Sequence, residues 1–220
     1  MTMAGISRRV FLSIASMVAA FSNRTALADT SSSLPDAAKN GGMSLLEALS
    51  LRQSTRLFAD KPIDDETLST LLWCAFGINR PNSGGHTAPS WHGAMETDIY
   101  VADERGVRKF DPAGQAAVTI LSRDIRRLAS KETFVETAPA VLIYCADRGR
   151  LHVANEDQAS AFAHVDAGIV AQNVYLYCAS AGLGTCLVGG VDKPTLGKVL
   201  GLSQTQFVTF VQPVGYPSSG

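Results

Sequence analysis

The sequence predicts an α+β protein that folds as a sandwich of three layers. Predicted strands and helices are mixed along the chain without a regular β-α-β alternation. The run AVLIYCA at 140–146 is continuously apolar and contains β-branched residues, which is typical of a buried central strand. The pattern at 156–181 predicts one long helix. No G-x-G-x-x-G motif joins a strand directly to a helix, so the pattern does not favour a dinucleotide-binding Rossmann unit.

The other elements follow from caps, breakers and alternation. Ser44 can cap a short helix LLEALSL, and Asp64 and Asp65 begin a second helix that ends at Gly77. The segment 79–93 is dense in Gly, Pro and Ser and predicts a long loop. The remaining expected elements are strands at 97–102, 107–110, 185–188 and 206–215, and helices at about 123–131 and 192–201.

Residues 1–28 have the features of an export signal. Adjacent arginines in SRRVFL, at 7–12, begin an apolar run that is too short to span a bilayer. Small residues at 26–28 then form an A-x-A cleavage site. The motif resembles the twin-arginine signals of proteins that are exported after folding, often around a bound cofactor. It predicts a periplasmic or exported protein, and an ordinary secretion signal with two arginines is the alternative.

Cleavage after residue 28 would leave 192 residues, enough for one substantial domain. We expect 29–43, which is small, polar and glycine-ended, to be a flexible leader and 44–220 to be the domain. The cleaved chain carries 16 lysines and arginines against 20 acids and has no basic run. This composition argues against a nucleic-acid or anionic-membrane surface, and no later segment is apolar and long enough to span a membrane.

The long helix is apolar almost all round. Between Val165 and Ala181 its only charge is Asp166, so the helix must be buried in a core or against a second subunit. A carboxylate in such a helix needs a partner or a wet cavity. We expect Asp166 to cap a backbone amide or to pair with an arginine rather than to take part in catalysis.

The cysteines and histidines do not form a metal or redox motif. No pair of the four cysteines has C-x-x-C spacing, and each lies in an apolar stretch, which favours buried free thiols over a disulfide. The four histidines show neither H-x-x-x-H nor H-E-x-x-H spacing. His92 is the one weak catalytic candidate, because its loop could place it where it donates a proton to a substrate.

Three stretches could carry chemistry. In extended chain, Arg52, Ser54 and Arg56 would point to one side and could bind a phosphate, although these residues alone favour a solvated polar loop. The loop TAPSWHGA at 87–94 suits a planar heterocycle, or it is a surface loop whose tryptophan packs on its own domain. In GLGTCLVGG at 182–190, the last two glycine amides can approach a ligand ring, or they form only a tight turn.

Taken in order, these stretches resemble the nitroreductase family of FMN enzymes. RQSTRLF is similar to the family's phosphate-binding opening, and APSWHGAMETDIYVA is similar to its flavin-flanking loop and the following strand. DAGIVAQNVYLYCASAGLG is similar to its long core helix, and the terminal GYP completes a resemblance that covers 45–217. GVRKFDPAG, at 106–114, resembles the branch related to azoline-oxidising dehydrogenases of peptide modification.

The resemblance implies an intertwined homodimer with a central, mostly antiparallel sheet and two FMN sites at the interface. The residues that would hold the ribityl phosphate and the nearby flavin edge are Arg52, Gln53, Ser54 and Arg56. Those that would contact the FMN held mainly by the partner are Pro89, Ser90, Trp91 and Gly93. Those that would lie beside the isoalloxazine, with a glycine amide near N5, are Leu187, Gly189 and Gly190.

The chain departs from the family at two points. Many relatives continue past GYP to a lysine and an arginine that complete the phosphate clamp, whereas this chain ends in SSG. Arg80, Arg126 or Arg127 could compensate. Gly93 stands where an amide side chain often helps to bind the flavin.

The resemblance implies ping-pong hydride or electron transfer through flavin N5, to or from a small organic substrate such as a nitroaromatic or a quinone. NADH or NADPH is the usual donor, and an exported enzyme would instead need a periplasmic donor or would pass electrons from its substrate onward. One alternative is a non-catalytic flavin- or ligand-binding protein that keeps the fold. A structural dimer without a cofactor is another.

Overall fold

The computed structural model describes residues 31–218, so the predicted signal at 1–28 lies outside the described residues. No helix within 31–218 is long and apolar enough to cross a bilayer. The strands are β1 Ser31–Ser33, β2 Ile78–Arg80, β3 Gly85–His86, β4 Thr97–Asp103, β5 Gly106–Asp111, β6 Ala116–Leu121, β7 Ala140–Asp147, β8 Gly184–Thr185 and β9 Gln206–Gly215. The helices are α1 Leu45–Leu51, α2 Asp65–Phe76, α3 Arg126–Ala129, α4 Thr133–Glu136, α5 Arg148–Leu151, α6 Glu156–Ser180 and α7 Lys193–Leu200.

A seven-stranded sheet forms the middle layer, in the order β1-β6-β5-β4-β7-β9-β8. Every neighbouring pair in it is antiparallel. On β7, Leu142 and Tyr144 face α2 and α6, whereas Val141 and Ile143 face α3, α4 and α7. This alternation places one core on each face of the sheet. The predicted three-layer α+β sandwich is therefore confirmed.

The helix boundaries lie close to the predicted ones because local signals set them. At α1, the Ser44 side chain accepts from the Glu47 amide and Glu47 accepts from the Ser44 amide, which is a complete capping box. At α2, the Asp64 side chain accepts from the Thr67 amide, without the reciprocal bond. The first turn of α6 is capped by Asn155, and Gly182 beyond its end has φ of 68°.

Three expectations were wrong or incomplete. The segment 29–43 is not a free leader in its described part, since β1 pairs with β6 and Leu34 and Ala37 are buried. The loop at 79–93 contains the β2–β3 hairpin and a 3₁₀ turn at Trp91–Gly93. The helix expected at about 123–131 shortens to the four residues of α3, and β6 had no predicted counterpart.

The four cysteines are free thiols in the structure. Cys145, Cys178 and Cys186 are buried, as their apolar stretches predicted, and Cys74 is partly buried. Burial raises the pKa of the Cys74 thiol to about 11, so it carries little thiolate at neutral pH.

One face of α6 lacks a covering layer in the single chain. The helix buries Ala167, Val170 and Val174 against the sheet and α2. On its outer side Val165 is 60% exposed. The neighbouring helix α1 also exposes apolar side chains, those of Leu45, Leu46 and Leu49. Exposed apolar surface on two adjoining helices marks an interaction face.

Candidate functional site

The arginine segment leaves α1 in extended form and is fixed to the sheet at one point. The Thr55 amide donates to the Thr185 carbonyl of β8 at 2.9 Å. Gln53 and Thr55 line a small cavity of about 240 Å³ together with Tyr175. Ser54 and Arg56 are exposed, and Arg52 is half-buried. Thr55 thus anchors the segment to the sheet, while Ser54 and Arg56 stay accessible to a ligand.

Tyr175 of α6 joins two of the predicted stretches. Its hydroxyl lies 3.1 Å from Ser54 Oγ and accepts a 2.8 Å hydrogen bond from the Leu187 amide. The Arg52 guanidinium lies over the Tyr175 ring, 5.3 Å from its centroid. Arg52, Ser54 and Leu187 therefore meet at the C-terminal end of α6. We call this group the Tyr175 cluster.

The arginines of this segment keep their charge available. Neither Arg52 nor Arg56 has a carboxylate of residues 31–218 within 4.0 Å. Arg56 instead lies over the Phe134 ring, 5.9 Å from its centroid. Arginines with uncommitted donors suit a phosphate or carboxylate ligand.

The glycine turn after β8 presents backbone donors. Gly189 and Gly190 are exposed, and neither amide donates to an acceptor within the described range. Gly190 has no atom within 4 Å of the position that a β-carbon would take, whereas its carbonyl accepts from Ser130 Oγ at 2.8 Å. The turn is therefore anchored through the Gly190 carbonyl, while its amides remain exposed, so a flat ligand can approach them.

Gly184 lets the arginine segment lie close to β8. A β-carbon there would lie 2.6 Å from Thr55 Cβ, which is closer than real contacts allow. We expect Gly184→Ala to destabilise the fold by about 1–3 kcal/mol and to displace the segment. Thermal unfolding checks this, with Gly168→Ala as the matched control because its added β-carbon meets open space. Equal melting temperatures for the two variants would contradict the close approach.

The Pro89–Met95 turn is held to its own domain. The Trp91 amide donates to Asp166 Oδ2 at 2.7 Å, and the Met95 amide donates to Ser90 Oγ at 2.7 Å. The Trp91 ring stacks on Phe162 at 3.7 Å, with 8° between the planes. The tryptophan thus packs on its own domain, as one interpretation of the sequence predicted, yet it stays 38% exposed. Asp166 caps a backbone amide, as expected.

Backbone strain is concentrated in the same turn. His92, Gly93 and Met95 have φ of 47°, 72° and 49°. A positive φ causes no steric strain at Gly93, whereas it strains the backbone at His92 and Met95. The exposed His92 ring lies edge-on to Trp91, with 4.6 Å between centroids. Hydrogen bonds hold the turn in this strained conformation, an arrangement that is common at ligand sites.

The structure does not bring every predicted site residue together in one chain. Asp166, which holds the Pro89–Met95 turn, and Tyr175 are nine positions apart on α6, about 13 Å along the helix axis. No hydrogen bond or aromatic contact joins the turn to the Tyr175 cluster. A ligand at the Tyr175 cluster would receive such a turn most directly from a second subunit.

Two of the three arginines suggested from the sequence as further phosphate ligands are engaged elsewhere. Arg126 binds Asp124 at 2.6 Å and the Ala138 carbonyl at 2.9 Å. Arg80 donates to the His86 carbonyl at 3.1 Å. Arg127 is exposed on α3. Among residues 31–218 no group of three acidic, histidine or cysteine side chains could hold a metal ion.

Two important residues carried no recognised signal in the sequence. Tyr175 was one aromatic residue among many in the long helix. Glu96 directly precedes the predicted strand, and its carboxyl group is fully buried. Burial, together with the adjoining Asp166 carboxylate, raises the pKa of Glu96 to about 7.

The domain is thus an α+β sandwich in which the arginine segment and Leu187, two residues before Gly189 of the glycine turn, meet at Tyr175 of the long core helix. The chain belongs to the nitroreductase family, since the profile described as "Nitroreductase family" matches residues 49–216.

Individual relatives agree with this assignment. "Putative nitroreductase MJ1384" of Methanocaldococcus jannaschii is 32% identical over 181 residues, covering 78% of this chain and 90% of that protein. The crystal structure of a putative nitroreductase from Ralstonia eutropha JMP134 is 36% identical with a TM-score of 0.81, covering 86% of this chain and 90% of that one. The "NADPH-flavin oxidoreductase" of Vibrio harveyi is 31% identical over 102 residues, covering 43% of this chain and 42% of that protein.

Proposed function

We propose that this chain is an FMN-dependent oxidoreductase of nitroreductase type that transfers electrons to or from a small organic substrate. The observation that carries the proposal is the Tyr175 cluster, in which Arg52 and Ser54 meet Leu187. It places anion-binding side chains one short segment away from the open glycine turn. A ligand with a phosphate at one end and a flat ring at the other fits that order of donors.

The residues present fit FMN by the chemistry of their donors. Arg52, Ser54 and Arg56 offer cationic and hydroxyl donors to the phosphate, and Gln53 offers an amide beside them. The unused amides of Gly189 and Gly190 suit a ring atom on which negative charge develops. When bound, FMN supplies the hydride and electron transfer that side chains cannot. The protein's task is to bind, orient and shield it.

We propose a homodimer as the working unit. Exposed apolar side chains on α1 and at Val165 of α6 support a second subunit on that face. The separation of the Pro89–Met95 turn from the Tyr175 cluster supports sites completed by residues of both subunits. Pro89, Ser90, Trp91 and Gly93 would then contact the FMN held by the partner.

We propose export through the twin-arginine pathway, with FMN acquired before export. The support is the SRRVFL motif and the A-x-A site in the sequence. A periplasmic enzyme meets little NAD(P)H, so the donor is either a different reductant or the substrate itself. The branch related to azoline-oxidising dehydrogenases remains a prediction from GVRKFDPAG, which forms β5 and the turn that follows it.

The direct test is the absorption spectrum of the purified full chain, with the released chromophore identified by mass. We expect stoichiometric FMN that NADH, NADPH or a substrate bleaches anaerobically and that a quinone or nitroaromatic reoxidises. FMN that no donor reduces would favour the non-catalytic binding protein. A colourless protein that refuses added FMN would overturn the proposal.

A further inference from the structure

We propose that Glu96 and Asp166 are positioning residues that share one proton and thereby hold the Pro89–Met95 turn in place. In this arrangement the turn is fixed when the pair carries one negative charge and loosens when it carries two. The consequence for flavin binding rests on the proposed function, whereas the state of the turn does not.

One carboxyl group, that of Asp166, binds the turn, and the other, that of Glu96, belongs to the residue that directly follows it. Asp166, 6% exposed, accepts the Trp91 amide at the beginning of the turn. Glu96 follows the turn directly and is fully buried at the base of β4. The Met95 amide closes the turn on Ser90 Oγ, so its two ends move together. A change at either carboxyl group therefore acts on the whole turn.

Glu96 has an oxygen with no donor. Its Oε1 accepts a 3.3 Å hydrogen bond from the Thr97 hydroxyl, whereas its buried Oε2 has no partner within residues 31–218. Asp166 adjoins Glu96, and its carboxylate accepts but cannot donate when ionised. A proton on Glu96 would satisfy both groups, because the acid could donate to the neighbouring carboxylate. This accounts for an otherwise costly orphaned atom.

No cation of the described residues neutralises the pair. Arg150 of α5 donates to the Met95 and Glu96 carbonyls and to the Asp98 carboxylate, and it forms no ion pair with either member of the pair. Asp147 of β7 contacts Glu96 only through its own amide, at 3.0 Å. His164 of α6 is engaged with the Ser160 carbonyl and Lys193. His92 of the turn is exposed beside Trp91.

The protonation state of Glu96 sets the direction in which the turn responds to pH. Burial, and then Asp166, raise the pKa of Glu96 from 4.5 to about 7. Below that pH Glu96 is neutral and donates, and Asp166 keeps the Trp91 amide. Above it, two adjacent buried carboxylates repel each other, and water must enter or the turn must move. The turn is therefore fixed at low pH and loosened at high pH.

Trp91 reports on the turn without any flavin. The test uses the full chain with Trp73→Phe, which leaves Trp91 as its single tryptophan, and His92→Asn, which removes a titrating neighbour and keeps a residue suited to positive φ. We expect its fluorescence and near-ultraviolet circular dichroism to change sigmoidally between pH 5.5 and 8.5, with a midpoint near 7. A signal that does not vary with pH would overturn the proposal.

Variants of the pair separate it from other titrating groups. Glu96→Gln keeps a donor and should hold the low-pH signal throughout the range. Glu104→Gln, the same substitution at an exposed carboxylate just after β4, should leave the transition in place. Asp166→Asn removes the neighbouring charge, so the midpoint should move to lower pH. The proposal would be overturned if the Trp91 signal of Glu96→Gln showed the same pH transition as its parent. It would also be overturned if the midpoint in Asp166→Asn did not move.

Measurements of FMN affinity test whether the state of the turn affects flavin binding. With wild-type protein we expect the Kd for FMN to rise about fivefold from pH 6 to pH 8.5, and to change less than about twofold in Glu96→Gln. The FMN phosphate gains charge in this range, with a pKa of about 6, and would by itself tighten binding. FMN that binds equally at both pH values would overturn the coupling to the site. Absence of FMN binding at any pH would defeat the proposed function, while the Trp91 signal would still decide the state of the turn.

Discussion

Replacing both Arg52 and Arg56 by alanine is expected to weaken FMN binding about a thousandfold. Hydrogen bonds to a charged group are worth about 1.5–3 kcal/mol each, and the double variant removes both guanidinium forks from the phosphate. Ser54 and the glycine amides remain, so a weak affinity should persist. Neither arginine is paired with a carboxylate of residues 31–218, so the fold should lose little.

Quenching of flavin fluorescence during titration of the apoprotein measures this Kd, and thermal unfolding of the apoprotein checks the fold. Arg123→Ala is the matched control, because Arg123 is an exposed arginine between β6 and α3, outside the Tyr175 cluster and without a predicted part in phosphate binding. Its Kd should equal that of the wild type. A Kd for the double variant within about threefold of the wild type would mean that the phosphate lies elsewhere or that no flavin binds here.

Much of the fold follows from signals that act over a few residues. Ser44 and Asp64 are N-caps that use only their own turn, and the continuous apolar run of β7 is distinctive in any context. The edge strand β1 lacks such a signal, because three consecutive serines show neither alternation nor apolar character, and yet they pair with β6. The β2–β3 hairpin is hidden in the same way among glycine, proline and serine.

The candidate site shows the same difference between local and long-range signals. The arginines and glycines could be predicted because their residue types suggest their chemistry. The role of Tyr175 could not be predicted, since its hydrogen-bond partners Ser54 and Leu187 lie 121 positions before and 12 positions after it in the sequence. Glu96 could not be found either, because nothing local indicates that its carboxyl group is buried beside Asp166 on a helix that comes much later in the chain.

The second large effect is expected at Val165, where Val165→Glu should convert a dimer into monomers and abolish FMN binding at both sites. Val165 is 60% exposed in the single chain, so the substitution should cost the monomer little. In a dimer formed through this face the same charge would be buried without a partner, at a cost of several kcal/mol. That weakens association about a thousandfold or more. The loss of FMN follows if the partner's turn completes each site.

Sedimentation velocity and bound flavin, measured on the same sample, separate the two steps of this argument. Leu128→Glu is the matched control, since it places the same charge on a 42% exposed apolar side chain of α3, on the opposite side of the sheet. It should remain dimeric and yellow. A Val165→Glu protein that stays dimeric would move the interface to another face. A monomer that keeps its FMN would show that one chain holds the cofactor alone, and the Pro89–Met95 turn would then have no part in the partner's site.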